Sequence, residues 1–572
     1  MAREYLKISK FGGIDERKLF SQSLFLSPDM NNFTVNSEGH LVKRNGSRKA
    51  SCDFNGSIYR IWSGYADGKQ AFIACTETRI YEYNFDENRF VSLNVTSGKC
   101  RHIFSFGNAV YFLCDGGYYK YKDGVYSSVS PYIPQIAVSC LPDGSGTAFE
   151  KLNMLTGKKR MLFSADGTSK TFTLAEKNID HMVWVKLNGE QLSAGWSGNI
   201  KNGTVTFTEA PEKGINNLEI CWSKNSTAKP DMIYGCTEGM CFGGNTDTRV
   251  FLYGHPDYPN YRFYSELADG IPSAEYFPET NYTVIGTSSI TDMVQQYDRQ
   301  LIFTEDRAYY SYCELRTDTF GNYYPSFPVY NLNFEKGNLL KGSSAVIDNT
   351  PVTLSDNGLN RWVSTTVQDE RNAVCFSQPI EKTVKRILCG RKQGECCLYD
   401  RQSAGELYFS TPYGLFIYNY DHNVWYKYDA VNAVQFCELY DKLYWLNSDG
   451  ELYYYSPTLT NDENGAVTAY WTTPTTRFGA QSRRFDLKAV EAEVCNSNGT
   501  ELTVTVAPSE AGQLMNSGTI TADESGGVKL LKFRTELKRS AGGKVTISSS
   551  HNIKGCEIAG LIFKTNGKEA YR

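Results

Sequence analysis

Few residues of this sequence have the types and the spacing that enzyme chemistry requires. No two of the six histidines have the paired spacing of a helical zinc site. The chain also lacks a Gly-x-Ser-x-Gly nucleophile turn, a phosphate-binding loop and the Gly-x-Gly-x-x-Gly motif of dinucleotide-binding folds. We therefore predict that the chain is not an enzyme, with no catalytic residue, no cofactor-binding residue and no metal ligand. The histidines are His40, His102, His181, His255, His422 and His551.

Carboxylates are the remaining candidates for chemistry, because glycosidases place one on either side of the scissile bond. The turns at 164–167 and 355–358 are similar to the Asp-box turn of sialidases, but their spacing departs from it. We interpret both as ordinary hairpin turns. No pair can be chosen from sequence among the 63 acidic residues, so a glycoside hydrolase stays an alternative without named residues.

Composition narrows the class of protein. The 572 residues are too many for one ordinary domain, and 41% hydrophobic with 21% charged residues is typical of a folded chain. The net charge of −4 disfavours tight binding of nucleic acid. No stretch has the pattern of a secretion signal or a membrane helix. Most of the 16 cysteines lie in apolar runs, so we expect buried reduced thiols, with disulfides and metal binding as alternatives.

A repeat of about forty residues indicates the fold. Aromatic residues make up 14% of the chain, and pairs of Tyr-rich strands recur with a Gly/Asp turn between them. Such a repeat predicts an all-β fold, a divergent β-propeller of about six to eight blades. We expect the tyrosines to pack mainly between blades, with stacking on sugars as the alternative. The repeats begin at Ala71, Ala109, Leu301, Glu406 and Lys442.

The repeat is interrupted once and ends before the C-terminus, which predicts two further domains. Alternating strands over 139–228 indicate an inserted β-sandwich, and a second run over 461–572 indicates a C-terminal β-sandwich. The N-terminal arm and the first propeller blades then occupy 1–138, and the remaining blades occupy 229–460. Helix is scarce, and its best candidate is 291–300.

One aromatic segment is a candidate for contact between subunits. The stretch 255–266 contains two prolines and four aromatic residues, which predicts a long rigid loop. Long loops in compact folds are commonly functional or interfacial. We predict a subunit interface here, with plain structural packing as the alternative. The candidate interface residues are Tyr258, Pro259, Tyr261, Phe263 and Tyr264.

The order of short motifs resembles that of a known group of proteins. A Gly-Gly turn at 12–13 precedes a Pro/Asp and Asn-rich stretch from Ser27, and a Gly-x-Leu-x-x-Arg-x-Gly element follows. Tyr-Ile-Pro at 132–134 and Gly-Gly-Asn at 243–245 come later. This order resembles the β-propeller tail proteins of tailed bacteriophages, the group of nozzle and packaged-DNA stabilisation hub proteins. The third element consists of Gly39, Leu41, Arg44 and Gly46.

The resemblance implies a structural virion component. Such a protein would form a ring, most simply a hexamer, that is part of the DNA ejection channel of the virion tail and is assembled in the cytoplasm of the bacterial host. Its partners would be its own copies, portal or adaptor proteins, fibre or needle proteins, and double-stranded DNA in non-specific passage, without membrane insertion. A slightly acidic chain suits a channel wall that does not grip phosphate. A glycan-binding adhesin of the host surface and a propeller glycoside hydrolase are the alternatives.

Overall fold

The computed structural model is an almost entirely β protein. Within the ranges that it describes, no helix is long and apolar enough to cross a bilayer, and no disulfide joins two cysteines. His551, Asn245, Cys52 and Cys556 lie outside the described residues. The described residues are 3–20, 24–50, 54–66, 68–95, 98–244, 248–317, 323–363, 372–429, 431–440, 442–463, 465–480, 484–495, 499–510, 514–522, 527–550 and 557–568.

Seven four-stranded antiparallel sheets form the predicted β-propeller. The first strands of the sheets contact neighbouring blades around a complete ring, so the propeller is closed. The blades are Ile58–Ala66, Lys69–Thr76, Arg79–Asn84 and Arg89–Val95 (blade 1); Cys100–Phe106, Ala109–Cys114, Gly117–Lys122 and Val125–Ser128 (blade 2); Glu238–Phe242, Arg249–Tyr253, Tyr261–Tyr264 and Tyr282–Val284 (blade 3); Ile290–Gln296, Arg299–Thr304, Ala308–Tyr312 and Val329–Asn333 (blade 4); Ala345–Ile347, Thr350–Ser355, Gly358–Trp362 and Ala373–Cys375 (blade 5); Cys397–Arg401, Glu406–Thr411, Gly414–Asn419 and Val424–Tyr428 (blade 6); and Ala433–Leu439, Lys442–Asn447, Leu452–Tyr455 and Ser47–Lys49 (blade 7).

A strand from near the N-terminus closes the ring. Ser47–Lys49 pairs antiparallel with Leu452–Tyr455 as the outermost strand of blade 7. The two ends of the propeller sequence therefore share one sheet, and opening the ring requires breaking that blade. Gly450 lies in the turn between the second and third strands of the same blade. Its φ of +79° is in the region that favours glycine. A Cβ at Gly450 would also lie 2.5 Å from Cβ of Ser57, just before blade 1.

The inserted β-sandwich lies in the chain between blades 2 and 3. A six-stranded sheet covers a three-stranded sheet, and the core between them includes Phe163, Phe172, Phe207 and Trp222. Six strand pairings in the two sheets are antiparallel, and the pairing of the strands that begin at Gln135 and Lys158 is parallel. The larger sheet contains Thr147–Ala148, Gln135–Cys140, Lys158–Phe163, Leu218–Ser223, His181–Leu187 and Glu190–Gln191, and the smaller contains Thr171–Thr173, Thr204–Phe207 and Trp196–Asn199.

The C-terminal β-sandwich takes strands from both ends of the chain. Its two sheets include four strands of the N-terminal arm, which the sequence analysis grouped with the first blades. Apolar residues such as Phe11 and Trp471 meet in its core, with ring centroids 5.1 Å apart. One sheet contains Phe33–Val35, Leu41–Lys43, Glu557–Lys568, Arg484–Cys495, Lys529–Arg534 and Arg3–Ile8, and the other contains Asp29–Asn31, Ala469–Thr472, Gly543–Ser549, Glu501–Pro508 and Asn516–Thr521.

The remaining elements are short. The helix expected over 291–300 is wrong, because these residues form the first hairpin of blade 4, with a turn at Tyr297 whose φ is +53°. The longest described helix is Glu381–Cys389, which buries Val384 and Ile387 on one face. Short hairpins and helical turns are Leu267–Ala268 with Ile271–Pro272, Glu314–Thr317 with Tyr323–Ser326, Asn461–Asp462 with Gly465–Ala466, Asp231–Tyr234, Asn225–Thr227, Gln378–Ile380, Gln393–Glu395 and Gln402–Ala404.

Candidate functional site

A buried arginine joins three parts of the chain. Arg44 belongs to the N-terminal arm and is 7% exposed. Its Nη1 and Nη2 donate to the two carboxylate oxygens of Asp462 at 2.9 and 2.6 Å, and its Nε donates to Asn32 Oδ1 at 2.7 Å. The guanidinium also lies 5.5 and 5.8 Å from the ring centroids of Tyr428 and Tyr455. We call this contact of the arm, blades 6 and 7 and the hairpin at Asp462 the joint.

The electrostatics of the joint favour both charges. Burial alone lowers the pKa of Arg44, but Tyr455 and the hydrogen bonds to Asp462 outweigh it, so the pKa is raised. Burial alone raises the pKa of Asp462, and the bonds from Arg44 hold it below its ordinary value. Both side chains therefore stay ionised at neutral pH, in a bidentate geometry that gives direction as well as energy.

Glycines of the same motifs allow the arm to pack closely. A Cβ at Gly46 would lie 1.9 Å from the carbonyl oxygen of Asn461, and one at Gly13 would lie 2.0 Å from that of Trp425. Leu41 is fully buried in the core of the C-terminal sandwich. The arm thus lies against blade 6 and the hairpin at distances that only glycine permits.

The Asn-rich stretch completes the joint. Nδ2 of Asn31 and Nδ2 of Asn32 each donate to a carboxylate oxygen of Asp429 at 2.6 Å. Asn32 is itself in the left-handed region, with a φ of +57°, which asparagine tolerates better than most residues. The N-terminal part of the sequence resemblance therefore lies where the propeller and the C-terminal sandwich are held together, whereas Tyr132 lies beside the inserted sandwich, in contact with Glu150.

A second polar cluster lies at the centre of the propeller ring. Glu238, the first residue of blade 3, contacts Arg60 of blade 1 at 3.2 Å and His102 of blade 2 at 3.3 Å. A Cβ at Gly342, which precedes blade 5, would lie 2.7 Å from Glu238 Oε1. Burial alone raises the pKa of Glu238, and Arg60 and His102 lower it below its ordinary value. Groups from blades 1, 2 and 3 and from the segment before blade 5 therefore converge on this one carboxylate.

Asp292 of blade 4 is a second buried carboxyl near the same cluster. Tyr253 donates its hydroxyl to Asp292 Oδ1 at 2.7 Å, and the backbone N–H of Met293 donates to the same atom at 2.8 Å. Burial raises the pKa of Asp292 to about 6. The two carboxyl groups thus have pKa values shifted in opposite directions. This is also the pattern that acid–base catalysis uses, but here Asp292 is buried, the Glu238 side chain is only 16% exposed, and both carboxyl groups are bonded to protein.

The mouth of the ring holds a small basic depression. It has a volume of about 320 Å³ and its lining includes Tyr59, Arg60, Lys99 and Arg101. The Lys99 ammonium lies 4.0 Å from the centroid of the Tyr59 ring. Arg60 is engaged by Glu238, and Arg101 lies 3.4 Å from an oxygen of Asp115. The depression has room for a small anion beside Lys99.

The five predicted interface residues do not form one exposed loop. Tyr258 is 37% exposed and Phe263 is fully buried in the core between blades 2 and 3. Tyr261 and Tyr264 are half-buried in the third strand of blade 3. The carbonyl oxygen of Pro259 accepts a hydrogen bond from the backbone N–H of Ile290. The segment is a turn and an internal strand, so Phe263 has no surface for a partner. Contact through Tyr258 stays a prediction.

An exposed apolar face lies instead on the hairpin of Glu314–Thr317 and Tyr323–Ser326, which extends from blade 4. Leu315 and Tyr323 on one of its faces are 73% and 77% exposed. The other face returns to the blade, because Glu314 accepts a hydrogen bond from the Tyr330 hydroxyl and pairs with Arg316. Sequence reasoning missed this hairpin, although the Tyr-Tyr-Pro run at 323–325 is a visible aromatic signal.

The two Asp-box-like turns have ordinary structural roles. Asp166 caps its own turn by accepting from Thr168 N and Ser169 N at 2.7 and 2.6 Å. These bonds and that from the Ser169 hydroxyl lower the pKa of Asp166. The stretch 355–358 is the tight turn between two strands of blade 5. Among the described residues, no hydrogen bond joins either turn to a second carboxyl group.

Comparisons with known proteins give only distant likenesses. No family model matches the chain, and no curated protein matches it. Among solved structures, the mitotic checkpoint complex aligns at 10% identity and a TM-score of 0.32, covering 71% of this chain and 93% of the other. An exo-β-1,3-galactanase of Phanerochaete chrysosporium aligns at 11% identity and 0.17, covering 86% and 100%. Hsv2p of Kluyveromyces lactis aligns at 10% and 0.24, covering 65% and 96%. At these values the likenesses say nothing about function.

Proposed function

We propose that this protein is a structural component of a tailed-phage virion, a subunit of a ring in the tail. The observation that supports the proposal is the position of the motif residues: Arg44 and Gly46 lie in the joint, Leu41 is buried in the core of the C-terminal sandwich, and Gly39 forms a turn of the same arm. A resemblance carried by residues that also serve one structural role supports the family more strongly than a resemblance carried by unconnected turn residues. The role of the motif residues is to make the propeller and the C-terminal sandwich one load-bearing body.

The central cluster bears on the route of DNA. Arg60, His102 and Glu238 meet on the inner strands of blades 1, 2 and 3, at contacts of 3.2 and 3.3 Å. A double helix is wider than its major groove of about 12 Å, and these contacts leave no such gap between the three blades. We therefore place the passage of DNA along the axis of the assembled ring, between copies of the chain.

Assembly of a ring needs a heterologous contact in which one surface meets a different surface of the next copy. The outward face of the hairpin at Leu315 and Tyr323 is our candidate for one of these surfaces. Apolar groups exposed to water on this hairpin are costly in a monomer, and burying them gains about 25 cal/mol per Å². A hexameric ring is the simplest expectation.

The glycan alternatives find less support in the site. A glycosidase needs two carboxyl groups that reach an open cleft, whereas Glu238 and Asp292 are bonded to protein groups in the centre of the ring. The tyrosines Tyr81, Tyr118 and Tyr418 are buried between strands and cannot stack on a sugar. These facts favour a structural role in our proposal over an adhesin or a hydrolase.

Electron microscopy and light scattering of the purified full chain test the proposal. We expect closed rings in the wild type and monomers in the double variant Leu315→Asp, Tyr323→Asp. The variant Leu514→Asp, at a site 92% exposed on the C-terminal sandwich, is the matched control and keeps the rings. A monomer at high concentration that binds a glycan array would replace the proposal with the adhesin.

A further inference from the structure

We propose that Glu38, His40 and Glu557 form a site for a divalent metal ion. One ligand atom from each residue lies within 4.8 Å of the other two. His40 Nδ1 lies 2.6 Å from Glu557 Oε1 and 3.5 Å from Glu38 Oε2. His40 and Glu557 are largely buried, with side chains 17% and 19% exposed, while Glu38 is 71% exposed. This site is independent of the proposed function.

The three donors come from the two ends of the chain. Glu38 and His40 belong to the turn before Leu41–Lys43, and Glu557 begins the strand Glu557–Lys568 that pairs with it. No spacing in the sequence could reveal such a group, and the sequence analysis accordingly expected no metal. A bound ion would fasten the N-terminal arm to the C-terminal sandwich.

Two carboxylates converge on one imidazole nitrogen, and that nitrogen has at most one proton to donate. Either carboxylate can accept it, but a divalent cation between the three groups would satisfy all of them at once. Glu38 and Glu557 bring two carboxylates to this single imidazole. The local potential is therefore negative, as a cation requires.

Asn36 holds the donors in place without metal. Its Oδ1 accepts from the backbone N–H groups of Glu38 and His40 at 3.1 and 2.9 Å. Its Nδ2 donates to Glu557 Oε1 at 2.9 Å. Gly39, with a φ of +86°, allows the tight turn between the two ligands. Outer contacts of this kind orient ligands in established metal sites and raise their affinity.

The donor set indicates the class of metal. Calcium and magnesium prefer oxygen ligands alone, whereas one imidazole nitrogen with two carboxylates suits zinc or manganese. The exposure of Glu38 leaves an open side where water completes the coordination shell. We take zinc as the ion to test.

The test is a calorimetric titration of zinc chloride into the full chain after removal of metal with EDTA. We expect one zinc ion per wild-type chain and a zinc-dependent rise of the Tm. Because Glu38 is exposed, Glu38→Gln should unfold like the wild type without zinc, yet bind zinc at least about tenfold more weakly. Glu493→Gln removes a neighbouring charge that is not a ligand and is the matched control.

Two results would overturn the proposal. One is equal zinc affinity in Glu38→Gln and the wild type. The other is an equal loss of affinity in Glu38→Gln and Glu493→Gln, since that would reduce the site to a general attraction of cations to negative charge. Ring formation in the same preparations reports on the proposed function separately, because the zinc site lies within one chain.

Discussion

Arg44 and Asp462 are 418 residues apart in the sequence and form a bidentate ion pair. The pair lies where the N-terminal arm, the last two blades and the hairpin that leads into the C-terminal sandwich meet. Arg44 has 2% of its side chain exposed and Asp462 has 17%. Because both partners are largely withdrawn from water, the removal of Arg44 leaves the Asp462 charge without an ionic partner, with only the hydrogen bonds from Ser47 N and Oγ at 3.0 and 2.8 Å.

The variant Arg44→Ala should destabilise the protein by about 3–5 kcal/mol, the usual cost of breaking a buried ion pair from one side. Urea unfolding, followed by tryptophan fluorescence, measures the change. Lys49→Ala breaks the exposed pair with Glu451 and is the matched control, with an expected cost below about 1 kcal/mol. Equal losses in the two variants would show that the joint does not hold the domains together.

Close backbone approach gives a second prediction. Gly46→Ala places a methyl group against the carbonyl of Asn461 and should lower the free energy of unfolding by more than about 2 kcal/mol, a typical cost of overpacking. Gly394→Ala, with no atom within 4 Å of the added Cβ, is the control and should be nearly neutral. Thermal unfolding compares the two, and an unchanged Tm in Gly46→Ala contradicts the close contact.

The buried carboxyl of Asp292 predicts a dependence on pH. Its pKa of about 6 in the folded chain exceeds the unfolded value of about 3.9. Its contribution to stability is therefore full below about pH 4 and is lost as the pH rises through about 6. Asp292→Asn keeps an acceptor for Tyr253 but cannot ionise, so the variant should gain about 2–3 kcal/mol relative to the wild type over this interval.

Urea unfolding at several pH values measures that gain. The exposed Asp449→Asn variant is the control for the loss of one charge. A constant difference in unfolding free energy between Asp292→Asn and the wild type from about pH 4 to about pH 7 would mean that the pKa of Asp292 is not raised to about 6 in the folded chain.

Local pattern was enough to predict the propeller and both sandwiches. Tyr-rich hairpins such as the one that begins at Glu406 contain the strand alternation and the turn in one contiguous stretch. The closing strand Ser47–Lys49 is three residues long, and its partner Leu452–Tyr455 is distant in sequence, so no local pattern marks it. The helix at 291–300 was a wrong prediction because a short apolar run fits both periodicities.

The candidate sites are formed by residues that are far apart in the sequence, so most of their contacts could not be predicted from sequence alone. The motif with Arg44 was recognised, but its partner Asp462 and the aromatic rings around it were not. Aromatic content alone could not separate Phe263, which is buried, from Tyr258, which is exposed. The cluster at Glu238 forms only when three different blades come together. The composition of the chain therefore could not predict it.

The most direct test of the central claim is a cryo-electron microscopy reconstruction of the particle in which the chain occurs. The account predicts several copies in a closed ring on the tail axis, with the hairpin at Leu315 and Tyr323 buried between neighbours. Density for a single copy away from the tail axis, or a free monomer with that hairpin exposed, would contradict it.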